Sequence, residues 1–112
     1  MVNLAFFAGI VAHETRHFYQ ASLSNSTYNL EFLKETEYYL NMDGFNETEY
    51  CDLEIEIDAH AFQALIEEKI CTQHFPIPKY MNQTKFDKRY NELKEQYSHK
   101  IDEVFKEVFP NG

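Results

Sequence analysis

The feature that most constrains the fold is a long stretch near the C-terminus in which apolar residues recur every three or four positions. The opposite side of this stretch, residues 84–109, is rich in lysine and glutamate. This spacing is that of an amphipathic α-helix, so the stretch predicts one helix. The apolar positions are Phe86, Tyr90, Leu93, Tyr97, Ile101, Val104, Phe105 and Val108.

Three further helices are predicted upstream, over residues 4–23, 29–40 and 48–72. The first begins with an apolar run, so we expect it to be the most buried helix, at the centre of the fold. Residues 53–58 alternate as a strand would, but the continuation of this segment has helical spacing and favours a helix throughout. The chain has only three glycines and three prolines, which argues against a fold rich in strands and turns. We therefore predict a single all-α domain, residues 1–112, of about four helices.

The charge balance limits the classes of partner. Ten basic side chains stand against 19 acidic ones, for a net charge of −9. A protein that binds the nucleic-acid backbone needs basic side chains to neutralise phosphates, so we expect no nucleic-acid partner. The apolar run over residues 4–12 is shorter than the roughly 20 residues that a membrane span needs, so we expect no membrane partner. Two cysteines without a dense disulfide framework indicate a reducing compartment, and we expect a cytoplasmic protein.

The chemistry-bearing motif follows the apolar run. The residues from His13 to His17 read His-Glu-Thr-Arg-His, which is an H-E-x-x-H motif. On a helix His13 and His17 lie one turn apart on the same face, so both imidazoles can bind one Zn²⁺. Glu14 is rotated away from His13 and can take a proton from water that the metal has made more acidic. A tetrahedral zinc site of this kind needs a third protein ligand and leaves its fourth position for water or substrate.

A resemblance supplies that third ligand. The segment that contains Glu56, Ala59 and Phe62 resembles the E-x-x-A-x-x-F helix of ImmA/IrrE-type zinc metallopeptidases, which are gluzincins. The order of the two helices also matches. The resemblance implies a zinc site of His13, His17 and Glu56, with Glu14 as the general base.

Two alternatives remain open for the ligands. Glu54 and Asp58 have the E-x-x-x-D spacing of thermolysin-like gluzincins, which would make Glu54 the ligand and Asp58 a hydrogen-bond acceptor for a ligand histidine. Asp58 is a plausible acceptor with either glutamate, because ligand histidines donate their second N–H to an oxygen. His60 follows Glu56 by one turn and is a candidate spare ligand or substrate-side donor.

The sequence thus predicts a zinc metallopeptidase that hydrolyses peptide bonds in a protein or peptide substrate. Zincin peptidases usually place a β-sheet before this helix, whereas the residues before His13 look helical. We therefore expect a zincin-like active-site helix near the N-terminus with the upstream sheet missing. The alternative is an acidic helical protein-interaction module with a structural or vestigial zinc site. A structural site would be closed at its fourth position, for example by His60.

Overall fold

The architecture is given by a computed structural model, which describes residues 4–23, 26–40 and 47–108. These residues form five helices and no strand, so the predicted all-α fold is confirmed and the strand alternative for residues 53–58 is wrong. The sequence from Asn41 to Gly44 predicts a turn after the second helix, and these residues lie outside the described ones. The helices are α1 (Leu4–Ser22), α2 (Ser26–Leu40), α3 (Glu47–Cys51), α4 (Glu54–Cys71) and α5 (Gln83–Val108).

The predicted helix over residues 48–72 is in fact two helices, α3 and α4. The break falls at Leu53, whose backbone is extended, with φ −62° and ψ 136°. The first backbone N–H groups of α4 are bound by a side chain from another helix, because the Glu31 carboxylate of α2 accepts from Glu54 (2.9 Å) and Ile55 (3.0 Å). A carboxylate at this position also interacts favourably with the positive end of the α4 helix dipole. Apolar spacing within residues 48–72 carries no sign of such a cap.

Helix α4 is the most buried element, and it packs against each of the other four described helices. The prediction that the first helix is the most buried is therefore wrong. Three of the buried residues of α4 are alanines, which allow neighbouring helices to approach closely. The buried apolar residues of α4 are Ile55, Ile57, Ala59, Ala61, Ala64 and Leu65.

The side of α1 that meets α4 is made of small and polar residues, namely Ala5, Gly9, Arg16 and Gln20. The large apolar side chains of α1 are largely exposed, and one of them, Phe6, also contacts the ring of Phe75 after α4. We call these exposed residues, Leu4, Phe6, Phe7, Ile10, Val11 and Phe18, the apolar face of α1. Within the described residues, no helix is both long and apolar enough to cross a membrane.

Gly9 sets how closely α1 approaches α4. A Cβ atom at Gly9 would lie 2.5 Å from Glu67 Oε2 and 2.8 Å from Glu67 Cγ. Glu67 is buried and accepts hydrogen bonds from Gln63 Nε2 (2.9 Å) and from the backbone N–H of Phe75 (3.0 Å). The lack of a side chain at Gly9 therefore lets α1 lie close against α4, and this contact brings the H-E-x-x-H motif beside the first half of α4.

Candidate metal centre

Three predicted ligands meet between α1 and α4. His13 Nε2 lies 3.4 Å from Glu56 Oε2, and His17 Nε2 lies 3.1 Å from Glu56 Oε1. The two Nε2 atoms are 3.2 Å apart. On a tetrahedral zinc with bonds of about 2.0–2.1 Å, two ligand atoms stand about 3.3–3.4 Å apart. The donor atoms of these three residues, all within 4.8 Å of one another, therefore have the spacing of a metal site.

The Nδ1 atom of His13 is already committed to a hydrogen bond. It lies 3.0 Å from Gln63 Oε1. The amide nitrogen of Gln63 donates to Glu67 Oε2, which fixes Oε1 as the acceptor, so His13 Nδ1 must carry the proton. In the neutral ring, the lone pair is then on Nε2, the atom that faces Glu56 and His17.

His17 has the same arrangement with a different partner. Its Nδ1 lies 2.8 Å from Gln20 Oε1. The Gln20 amide nitrogen donates to Asp58 Oδ2 (2.8 Å) and to the carbonyl of Ile55 (2.9 Å), so Gln20 Oε1 is again the acceptor. Hydrogen bonds of this kind fix the orientation of ligand histidines at metal sites. Both Nε2 atoms are thereby available to one cation.

Without a metal, a proton takes the place of the cation. Burial alone lowers the pKa of His17, but its hydrogen bonds with Glu56 and Gln20 outweigh burial and raise the pKa to about 9. Burial also opposes the charge of Glu56, yet its contacts with the His13 and His17 rings hold its pKa well below the usual range. The tightly buried carboxylate, with a side chain that is 4% exposed, is therefore ionised and ready to bind a cation.

The structure separates Glu54 and Asp58 from these ligand atoms. Glu54 is exposed, in the first turn of α4. Asp58 is buried and accepts from Arg16 Nε (2.7 Å), Arg89 Nε (2.7 Å) and the amide of Gln20. Two guanidinium groups therefore bind the Asp58 carboxylate, for which the sequence spacing had suggested a histidine partner. Asp58 is linked to His17 only through the side chain of Gln20.

His60 lies beside the ligand group but is not part of it. Its Nε2 is 3.9 Å from Glu56 Oε2, and its ring centroid is 4.4 Å from that of His13. Burial, together with the charge on His13, lowers the pKa of His60 to about 4. His60 is therefore neutral at physiological pH and can accept or donate a hydrogen bond at the edge of the site.

Glu14, the predicted general base, is exposed on α1 beside the two histidines. Burial and the contact with Glu56 lead the causes that raise the pKa of Glu35, and the charge of Glu14 adds to them. Glu14 is therefore open to solvent and to a substrate.

Sequence reasoning missed several residues of the site. Tyr50 donates to Glu56 Oε1 at 3.2 Å, Gln63 accepts from His13, and the Glu35 carboxyl group is in hydrogen-bond contact with Glu56. Gln63 lies seven residues after Glu56 and so on the same side of α4, which is a signal that the sequence did carry. Nothing in the sequence selects Tyr50 or Glu35, because their positions depend on how α2 and α3 pack.

Comparisons with known proteins identify no relative. No family model, no curated protein and no solved structure matches the chain.

Proposed function

We propose that this chain is a zinc-dependent metallopeptidase that hydrolyses peptide bonds, as the ImmA/IrrE-type enzymes that it resembles do. The observation that carries the proposal is the convergence of two histidine Nε2 atoms and one buried carboxylate at ligand spacing. Both Nδ1 atoms are held by glutamine oxygens, so the lone pairs face the centre of the group. A donor set of two nitrogens and one oxygen suits Zn²⁺ in a catalytic site, where a further position is left for the reaction.

In this proposal each residue has a distinct role. His13, His17 and Glu56 hold the metal, which when bound supplies Lewis acidity to water and to the substrate carbonyl. Glu14 accepts a proton on its carboxylate during attack and returns it to the leaving amine. Tyr50 orients Glu56 through its hydroxyl group. The neutral His60 side chain is available to a polar group of the substrate.

The surroundings of Glu14 fit a peptide with apolar side chains. Ile10 and Phe18 lie one turn before and one turn after Glu14, and both are exposed, Phe18 by 81%. A substrate that approaches Glu14 therefore meets the apolar face of α1. Burial of apolar surface would contribute to substrate binding there.

The experiment begins with elemental analysis of protein purified without added zinc. We expect about one zinc per chain in the wild type and in Glu14→Ala, and none in His13→Ala. The loaded wild type should then cleave members of a mixed peptide library, and Glu14→Ala should be inactive while it retains zinc. The proposal is overturned if no sample binds metal after zinc is added back, or if the loaded wild type cleaves no peptide.

A second candidate function is protein interaction by an acidic helical module whose zinc site is structural. The apolar face of α1 favours it, because large apolar patches on a surface commonly mark contacts with a partner. The net charge of −9 would suit a basic partner. The two functions differ at the metal: a structural site excludes small inhibitors such as acetohydroxamate, whereas a catalytic site binds them.

A further inference from the structure

Glu35 of α2 carries a buried atom with no partner. Among the side chains that the structure describes, Glu35 Oε2 is the single buried oxygen or nitrogen that makes no hydrogen bond. A buried polar atom without a partner costs free energy, and native proteins seldom keep one without a reason. The atom is therefore free to bind a positively charged or hydrogen-bonding group.

The position of Glu35 is set by α2. Glu31, one turn earlier, accepts from the first N–H groups of α4 and so ties α2 to the start of that helix. The ring of Phe32 lies against the imidazole of His17, with centroids 6.2 Å apart. Residues four apart share one face of a helix, so Glu35 projects to the same side as Glu31. There its carboxyl group is in hydrogen-bond contact with Glu56.

Two carboxyl groups in contact are stable only with a proton or a cation between them. Oxygens at hydrogen-bond separation also have nearly the spacing of two ligand atoms on one metal. Glu35 lies outside the donor atoms of His13, His17 and Glu56 that are within 4.8 Å of one another, so its flexible side chain has to rotate to reach the same cation as Glu56.

We propose that Glu35 is a fourth protein ligand, which closes the metal site of His13, His17 and Glu56 and must be displaced before a substrate can bind. This inference rests on the metal site of the proposed function. Helix α2 packs less extensively than α1 or α5, so it is the element that can move away from the metal. Closure by Glu35 would hold the metal between turnovers, and a binding substrate would displace Glu35 as α2 shifts.

The test uses Co²⁺ in place of Zn²⁺, because the visible absorption of Co²⁺ reports its coordination. Glu35→Gln removes the charged ligand but keeps the size of the side chain and its hydrogen bond with Glu56. We expect this variant to change the absorption spectrum, to bind Zn²⁺ at least about tenfold more weakly, and to bind acetohydroxamate more tightly. Glu37→Gln, the same change on the exposed side of α2, should leave all three measurements as in the wild type.

Two results would overturn the inference. One is a Glu35→Gln variant with the spectrum and affinity of the wild type, while His13→Ala loses the metal. The other is a loss of affinity in Glu35→Ala that Glu35→Gln restores in full, because Glu35 would then act only through its hydrogen bond to Glu56. If instead the spectrum responds to Glu35→Gln but the loaded protein cleaves no peptide, the peptidase proposal fails while the ligand role of Glu35 stands.

Discussion

At the scale of single residues, the central feature is the competition between a proton and a metal at His17. In the metal-free protein this histidine holds a proton with a pKa of about 9, because Glu56 and Gln20 outweigh the effect of burial. A metal can bind Nε2 only after that proton leaves. The affinity of the site for a metal ion therefore increases as the pH rises.

The consequence is a steep pH dependence of zinc affinity. Above about pH 7.5, where the proton of His17 is the one displaced, the affinity should rise by about tenfold per pH unit up to about pH 9 and then level off. A competition titration with a chelator of known affinity, run from pH 6.5 to 9.5, measures this slope. His99→Ala, which changes an exposed histidine on α5, should keep the same slope. An affinity that stays constant across this range would contradict a protonated His17.

The hydrogen bond behind His13 gives a second prediction at this scale. Gln63→Leu removes the oxygen that accepts from His13 Nδ1, so the ring can rotate and its Nε2 is no longer aimed at Glu56. We expect zinc affinity to fall by about 10–100-fold. The same change at the exposed Gln96 should have no effect. Equal affinities of the two variants would show that Gln63 does not orient the ligand.

At the scale of the helices, the site depends on the close packing of α1 against α4. Gly9→Ala places a methyl group 2.5 Å from Glu67 Oε2, so either the buried, hydrogen-bonded Glu67 side chain or one of the two helices must shift. Overpacking of this kind costs about 1–3 kcal/mol, which exceeds the gain of about 1 kcal/mol from replacing glycine in a helix. We expect a net loss in the free energy of unfolding, measured by urea denaturation.

A double-mutant cycle provides the control for Gly9. In a Glu67→Ala background the clash is absent, so Gly9→Ala should there stabilise the protein through helix propensity alone. If Gly9→Ala changes stability equally in both backgrounds, the contact with Glu67 does not set the spacing of α1 and α4.

At the scale of the whole molecule, Asp58 joins three helices. It lies on α4, with its side chain 1% exposed, and pairs with Arg16 of α1 and Arg89 of α5. Burial would raise its pKa, but the hydrogen bond from Arg16 leads the interactions that lower the pKa instead. The arginine is itself surrounded by the rings of Tyr19, Phe62 and Tyr97. The negative charge of Asp58 is thus paired at the centre of the fold with arginines from two other helices.

Asp58→Asn should therefore destabilise the entire domain. It leaves the buried Arg16 without its counter-charge, a change that typically costs about 3–5 kcal/mol. Asp52→Asn, which breaks an exposed ion pair with Lys85 that solvent screens, should have a far smaller effect. Urea denaturation of both variants makes the comparison. Similar midpoints for the two would show that the Asp58 network does not hold the helices together.

The sequence by itself determined the helical fold and the candidate ligands. A 3–4 apolar period specifies a helix, and the spacing of His13 and His17 specifies one face of it, because both are local consequences of helix geometry. The position of Glu56 came from a motif resemblance, and the structure brings that carboxylate, rather than Glu54, to the histidines.

Tertiary structure alone decided the rest. The helix break at Leu53 depends on a carboxylate from α2. The close approach of α1 to α4 depends on the absence of a side chain at Gly9. The contact of Glu35 with Glu56 depends on where α2 packs. Asp58 has a sequence spacing suited to a histidine partner, yet two arginines from separate helices bind it. These outcomes are set by contacts between residues that are distant in the chain, and local periodicity carries no information about such contacts.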